Sequence, residues 1–210
     1  ICFPGKLAHG HILDLIDKGV DRIFYPMVIF EKAEGTGAQN SFNCPVVTGY
    51  PDVVRSAIDP EGRYGMPIDS PVVGFRDTAL LKKQIQLYLK PFGIGKKLVD
   101  EAVERGIAAQ REVLRELQER AVERMEKARE ENRFVVVVSG RPYHGDPLIN
   151  HGLPELLAGF GVDVIPETAV PLAADHSLKE SRILTQWAYT NRILAVAKVV
   201  AHTPHLEMLQ

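Results

Sequence analysis

Two cysteines, Cys2 and Cys44, and one dense loop, Gly140-Arg-Pro-Tyr-His-Gly-Asp-Pro147, hold the residue types in this chain that could carry chemistry. A thiolate is both a nucleophile and a soft metal ligand. Cys2 stands just ahead of a helix start, where the unsatisfied amides of the first turn stabilise negative charge on a sulfur or on an anionic cluster. The chain has no Cys-x-x-Cys. A gap of about forty residues fits neither a zinc ribbon nor a ferredoxin-type motif, so a shared metal requires the fold to bring two loops together. The competing reading is that both are buried thiols acting as small apolar groups.

The second candidate combines a cation, a phenol, an imidazole and a carboxylate with two stiffening prolines, soon after the apolar run Phe134 to Val138. Open parallel sheets bind ligands at the carboxyl ends of their strands. That rule selects the loops after Tyr25, Val138 and Ile165, hence Pro26 onward, Arg141 with Tyr143 and His144, and Glu167. Arg141 suits a phosphate or a carboxylate; the structural alternative pairs it with Glu167 across neighbouring strand ends. Lys6 at the first helix start is either a solvated charge or a contact for an anionic substrate group. His9 and His11 are two residues apart and diverge on a helix, so at most one of them, with His9 the candidate, faces a site. Neither a Gly-x-x-x-x-Gly-Lys-Ser/Thr loop nor a Gly-x-Gly-x-x-Gly turn is present, which leaves nucleotide hydrolysis and dinucleotide binding without a sequence basis.

The elements that must position these groups alternate between strand and helix. Leu7, Ile12, Leu13, Leu15 and Ile16 mark a helix between Pro4 and Gly19. Val20 to Tyr25 reads as a buried strand, Pro45 to Thr48 as a second, Pro51 to Ala57 as a short helix and Asp59 to Pro71 as irregular. Asp77 or Thr78 caps a helix through about Leu89. Val99, Val103, Ile107, Leu114, Leu117, Ala121, Met125 and Ala128 then trace a long amphipathic helix whose other faces are Glu and Arg. Phe134 to Val138 predicts a strand covered on both faces. A helix through Phe160, a strand at Val162 to Ile165, a helix from about Ser177 to Ala201 and a strand start at Leu206 follow. The fold class is α/β: two Rossmann-like lobes with short, mainly parallel open sheets, the first over 1–95, the second over 133–210, joined by a long helix over 96–132. The opening inside a strand-to-helix turn and the strand start at Leu206 read as parts of something longer, with the second lobe truncated at its C-terminal end.

Composition narrows the function. The 210 residues are 45% hydrophobic and 25% charged, in the globular range, with a formal net charge of -2. No global basic field draws nucleic acid, and no apolar run approaches the roughly 20 residues that span a bilayer. Two cysteines are too few for a disulfide scaffold, and the start lacks a signal-peptide pattern, so a cytoplasmic location is expected.

Taken together, Cys2-Phe-Pro-Gly-Lys-Leu-Ala-His-Gly-His11, Leu15-Ile-Asp-Lys-Gly-Val-Asp21, Asn43-Cys-Pro-Val-Val47 and Gly140-Arg-Pro-Tyr-His144 resemble a domain of CoA-substrate-specific enzyme activases. That domain is related to components of 2-hydroxyacyl-CoA dehydratases such as the 2-hydroxyglutaryl-CoA dehydratase activator. Asp146-Pro-Leu-Ile-Asn-His151, Gly161-Val-Asp-Val164 and Trp187 to Arg192 extend the likeness over both lobes.

The resemblance implies a four-iron, four-sulfur cluster held by cysteines from separate α/β lobes, fed one electron at a time by a partner with an actin-like ATPase fold. By that likeness Cys2 and Cys44 are metal ligands. Relatives carry a further Cys near the position of Met27 and another in a Ser-Phe-Gly-Cys-like segment that would begin past Gln210, so the ligand set here is expected to be incomplete. The implied function is an iron-sulfur-associated domain in ATP-driven electron transfer that does not itself hydrolyse ATP. Two alternatives stay open: an acyl-CoA-binding subunit of a dehydratase (lyase) system, with Arg141 or Lys6 meeting phosphate, and a docking domain with a vestigial cluster site.

Overall fold

Helix α1 starts where its sequence permits. In a computed structural model describing residues 3–33, 37–173 and 176–210, α1 runs Phe3–Asp17 with Pro4 in its first turn, where a missing N–H leaves no bond unmade. Gly19, at φ 65°, follows its end. Four short strands come next in this part of the chain: β1 (Ile23–Phe24), β2 (Met27–Phe30), β3 (Ile68–Asp69) and β4 (Val72–Gly74). β1 pairs with β3 and β2 with β4, both in parallel, so they form two ribbons. Helices α2 (Pro45–Ile58), α3 (Pro60–Tyr64) and α4 (Thr78–Leu89) connect them. Ile12 of α1, Ile23, Ile68 and the α2 residues Tyr50, Val54 and Ile58 close one apolar core. The three from α2 recur every four residues, which puts them on one helical stripe.

Residues 1–32 and 41–103 make one compact unit; residues 33–40 and 104–210 make the other. Helix α5 (Lys96–Glu130), 35 residues long, contributes its first turns to the first unit and the rest to the second. In the second unit β5 (Val135–Val138) is the middle strand of a parallel sheet ordered β6-β5-β7, with β6 at Asp163–Pro166 and β7 at Leu206–Leu209. The short α6 (Pro147–Asn150) and α7 (Leu153–Gly159) link β5 to β6, and α8 (Ala188–His202) leads to β7 on the other side of β5. Val135 and Val137 pack with Ala121 and Ala128 of α5 and with Val196 and Val199 of α8. Buried Asp163 ties the edge strand to its surroundings, its carboxylate accepting from Arg124 of α5 and Arg133.

The α/β class, the short parallel sheets and the long helix are as the pattern predicts. Three local expectations need correction. Pro45 to Thr48 is the first turn of α2 and not a strand: Pro45 at the first helical position presets φ, and the stripe Tyr50, Val54, Ile58 outweighs the β-branched pair Val46 and Val47. The helix placed from Ser177 begins only at Ala188. Before it, chain is held as loop by buried Leu178 and by Thr185, whose carbonyl accepts the amides of Gln39 and Asn40. Finally, Asp59 to Pro71 contains α3 and β3. Met27–Phe30 is a strand that the period-2 pattern did not announce, since none of its four residues is fully buried or fully exposed.

Candidate functional site

Cys44 is the N-cap of α2. A Ser, Asp or Asn at such a position turns its side-chain oxygen onto the amides two and three residues on; the Cys44 side chain makes no such bond. Pro45 has no N–H, so Val46 and Val47 carry the first-turn amides that a sulfur at the cap could meet. The cap is fixed from behind. The Cys44 amide donates to Asn43 Oδ1 at 2.9 Å, the Asn43 side-chain nitrogen donates to Glu31 Oε1 at 2.8 Å, and the Asn43 amide donates to the Ile29 carbonyl. Asn43 is 4% exposed, so this network sits in a low-dielectric setting where both bonds count. Thr48 adds a bond from its hydroxyl to the Val28 carbonyl, pinning the first turn of α2 on β2.

Cys2 lies outside the described residues. The helix that follows it in sequence is brought onto α2: a Cβ on Gly5 would sit 2.6 Å from the Tyr50 hydroxyl and 2.7 Å from its ring, so only glycine permits this approach. His9 lies one turn on, its ring edge-on to Tyr50 with centroids 5.5 Å apart. His9 Nδ1 is 3.0 Å from the Gly5 carbonyl; a carbonyl only accepts, so Nδ1 holds the hydrogen and Nε2 keeps the lone pair of the neutral ring. Burial pushes the Tyr25 phenol above its ordinary value, with Tyr50 nearby adding to the shift. Lys6 is exposed on α1. The first unit therefore gathers His9 and the Gly5 backbone around Tyr50, six residues beyond Cys44. Asn43, Glu31 and Tyr50 were not among the expected site residues; the Asn43-Cys-Pro-Val-Val47 string was the signal for the first.

In the second unit Arg141, Tyr143 and His144 follow the carboxyl end of β5, as a strand-end loop should. Pro142–Gly145 is a single 3-10 turn. The Arg141 amide donates to His144 Nδ1 at 2.9 Å, which leaves the hydrogen of the neutral ring on Nε2, and the Tyr143 ring packs edge-on to His144 at 4.4 Å. The Arg141 guanidinium forms no ion pair among the described residues. The expected alternative pairing with Glu167 is not made: Glu167 is buried, and its Oε2 accepts from the Ser139 hydroxyl at 3.0 Å.

A four-iron cluster asks for four ligands, as a rule four thiolates. This chain holds two cysteines, and among the described residues no three His, Cys, Asp or Glu side chains are grouped to hold a metal. The geometry of Cys44 fits one thiolate ligand; a complete cubane does not fit the residues present.

Fold and site together define a two-unit α/β protein with short parallel sheets and a cysteine-capped helix. The chain belongs to the family described as CoA enzyme activase uncharacterised domain, whose sequence model matches residues 1–170. That stretch takes in all of the first unit and the second through β6. An activase domain implies an enzyme component as partner. No curated protein and no solved structure matches the chain. Among the described residues no helix is long and apolar enough to cross a membrane.

Proposed function

We propose that this chain is the iron-sulfur-associated part of a CoA enzyme activase system, lending thiolate ligands to a four-iron cluster shared with a partner and taking part in electron transfer without hydrolysing ATP. The observation that carries it is Cys44 at the N-cap of α2, its side chain making no cap bond and its backbone fixed by Asn43. A cluster-bound sulfur at this position would stand at the first-turn amides of Val46 and Val47, and amide hydrogen bonds to sulfur are one of the ways a protein sets a cluster's potential. Gly5 against Tyr50 supports the same reading, because it draws the helix that follows Cys2 onto the helix that follows Cys44. When bound, the cluster would supply one-electron chemistry; the chain's own part is to hold and shield it. The test is anaerobic co-purification with the enzyme component, with iron and sulfide analysis and electron paramagnetic resonance of the reduced complex. About four irons per complex are expected, lost or altered in Cys44→Ser and in Cys2→Ser. Iron content and spectrum unchanged in both variants would overturn the proposal.

A second reading rests on the Arg141 loop. A guanidinium without an ion pair among the described residues, on a turn tied by His144 after a central strand, offers an anion contact for the phosphates of an acyl-CoA. Tyr143, edge-on to His144, would orient such a contact. Calorimetric titration of coenzyme A into Arg141→Ala should show weaker binding at unchanged melting temperature; equal binding assigns Arg141 to the surface.

A further inference from the structure

The formal charge of -2 hides a segregation. Of the chain's 25 Lys and Arg and 27 Asp and Glu, residues 76–97 hold six of the first (Arg76, Lys82, Lys83, Lys90, Lys96, Lys97) and one of the second, Asp77. This helix-and-turn segment is therefore +5 and the remaining 188 residues are -7. The basic segment is not an unstructured tail. Asp77 caps α4 by accepting from the amides of Ala79 and Leu80, and Leu81 anchors it in the fold at 5% exposure.

The face turned away from Leu81 is unusual for a solvated surface. Leu80, Lys83, Leu87 and Lys90 follow one another at spacings of three and four residues, so they form one stripe along α4. Leu80 is 49% exposed and Leu87 73%, and the stripe runs into Phe92, 47% exposed. Phe92 packs edge-on to Tyr88 at 5.6 Å and lies under the Arg22 guanidinium at 5.1 Å. Lys83, Lys90 and Lys97 make no ion pair among the described residues. Single exposed leucines are ordinary. Two in line with an aromatic, interleaved with uncompensated ammonium groups, have the make-up of an interface: apolar and aromatic anchors for affinity, charge for steering.

We infer that α4 and the turn through Phe92 are a docking surface for an acidic face of a partner protein, with apolar pockets that take Leu80, Leu87 and Phe92. Charge decides the occupant. A symmetric dimer through this face would set Lys83 and Lys90 of one copy against those of the other, which like-charge repulsion disfavours. A bilayer is disfavoured because interfacial helices keep lysines and leucines on separate faces. Here they share a stripe, and inserting Leu87 would drag Lys83 and Lys90 toward the acyl chains. The inference stands on charge and exposure and is independent of the cluster reading.

The test uses the whole chain and a fluorescent synthetic helical peptide carrying leucines on one face with glutamates between them; a twin with lysine for every glutamate is the control. Anisotropy should show the acidic peptide binding at least about tenfold more tightly than its twin, and weakening by a similar factor as salt rises from roughly 0.05 to 0.3 M. Lys83→Glu with Lys90→Glu should remove most of this binding, and Leu87→Ser part of it, all three positions being solvent-facing and the melting temperature unchanged. Failure of the acidic peptide to bind, equal binding of both peptides, or full binding by the charge-reversed variant overturns the inference. So does charge-dependent binding of the chain to vesicles of neutral and anionic phospholipid with no peptide binding, or self-association that the charge-reversed variant abolishes.

Discussion

The amide of Cys44 donates to the side-chain oxygen of Asn43 at 2.9 Å, and through Asn43 the cysteine's backbone is tied to Glu31. One buried carboxamide thus decides where the α2 cap stands, while the sulfur contributes nothing to that decision. Truncation of Asn43 should therefore move the thiol without touching it. Asn43→Ala removes two side-chain bonds, one of them to a carboxylate, and strands the Cys44 amide. A loss of about 2 to 3 kcal/mol is expected from urea unfolding. Alkylation of Cys44 by iodoacetamide in the folded protein should change in rate, whereas a distant variant of equal instability should leave it alone. An unchanged rate would show that Asn43 supports the fold without positioning the cysteine.

Two glycines of α1 should respond in opposite directions to the same substitution. Gly5→Ala places a methyl within 3 Å of the Tyr50 ring and hydroxyl, and overpacking of this kind costs about 1 to 3 kcal/mol. A Cβ on Gly10 would have no neighbour within 4 Å among the described residues, so Gly10→Ala should stabilise by about 0.5 to 1 kcal/mol through helix propensity. Thermal unfolding of the two variants side by side is the measurement. A tolerated Gly5→Ala would mean that the close approach of α1 to α2 is not required.

Alkaline pH should weaken the first unit. Burial holds the Tyr25 phenol above its ordinary value near 10, and burial with a hydrogen bond to Asp69 does the same for Tyr88. A group whose pKa is raised in the fold contributes stability that is complete below its unfolded value and is lost as pH rises through the folded one. Stability should thus fall from about pH 10 upward. Tyr25→Phe removes the phenol and should flatten part of that fall. The readouts are melting temperature against pH and an ultraviolet difference titration; identical alkaline profiles for both proteins would contradict the assignment.

What could be read from the chain was whatever rests on local pattern. The α5 stripe, the continuous valines of β5 and the Asp77 cap each follow from neighbours within one or two turns. The start of α2 reads as a strand and only Pro51 to Ala57 as helix, although Tyr50, Val54 and Ile58 recur every four residues, because Val46-Val47 after a proline and Pro51 inside the stretch argue for a strand and a break. Burial of the stripe against Ile12 and Ile23 overrides both. Likewise 176–187 is loop because Thr185 binds residues 39 and 40, partners no local window contains. At the site, Cys44 stood out as a residue type, but its support did not, since Glu31 reaches Asn43 across the loop between β2 and α2. The Arg141 loop was placed by a rule about strand ends, and its internal tie through His144 follows from a spacing of three.

Asp163 receives Arg124 and Arg133 on its two carboxylate oxygens. The acid is 9% exposed, while the two arginine side chains are 58% and 33% exposed. That asymmetry sets the energetics, because a stranded buried carboxylate costs far more than a stranded guanidinium that can turn to water. Arg124→Ala alone should cost at most about 1 kcal/mol, since Arg133 still pairs the acid and an exposed ion pair is worth little. Arg133→Ala should cost somewhat more for its lower exposure. Removing both leaves Asp163 buried without a counter-charge, a loss of about 3 to 5 kcal/mol. The double variant should therefore exceed the sum of the singles by at least about 1 kcal/mol, well outside the roughly 0.5 kcal/mol within which independent sites add. Asp163→Asn in the double background should recover most of that excess, because a neutral amide tolerates the site. Urea unfolding of the five proteins gives the cycle. Additive arginine effects, or no recovery by Asn, would mean that the carboxylate is hydrated in solution and that the clamp between α5 and β6 contributes little to the fold.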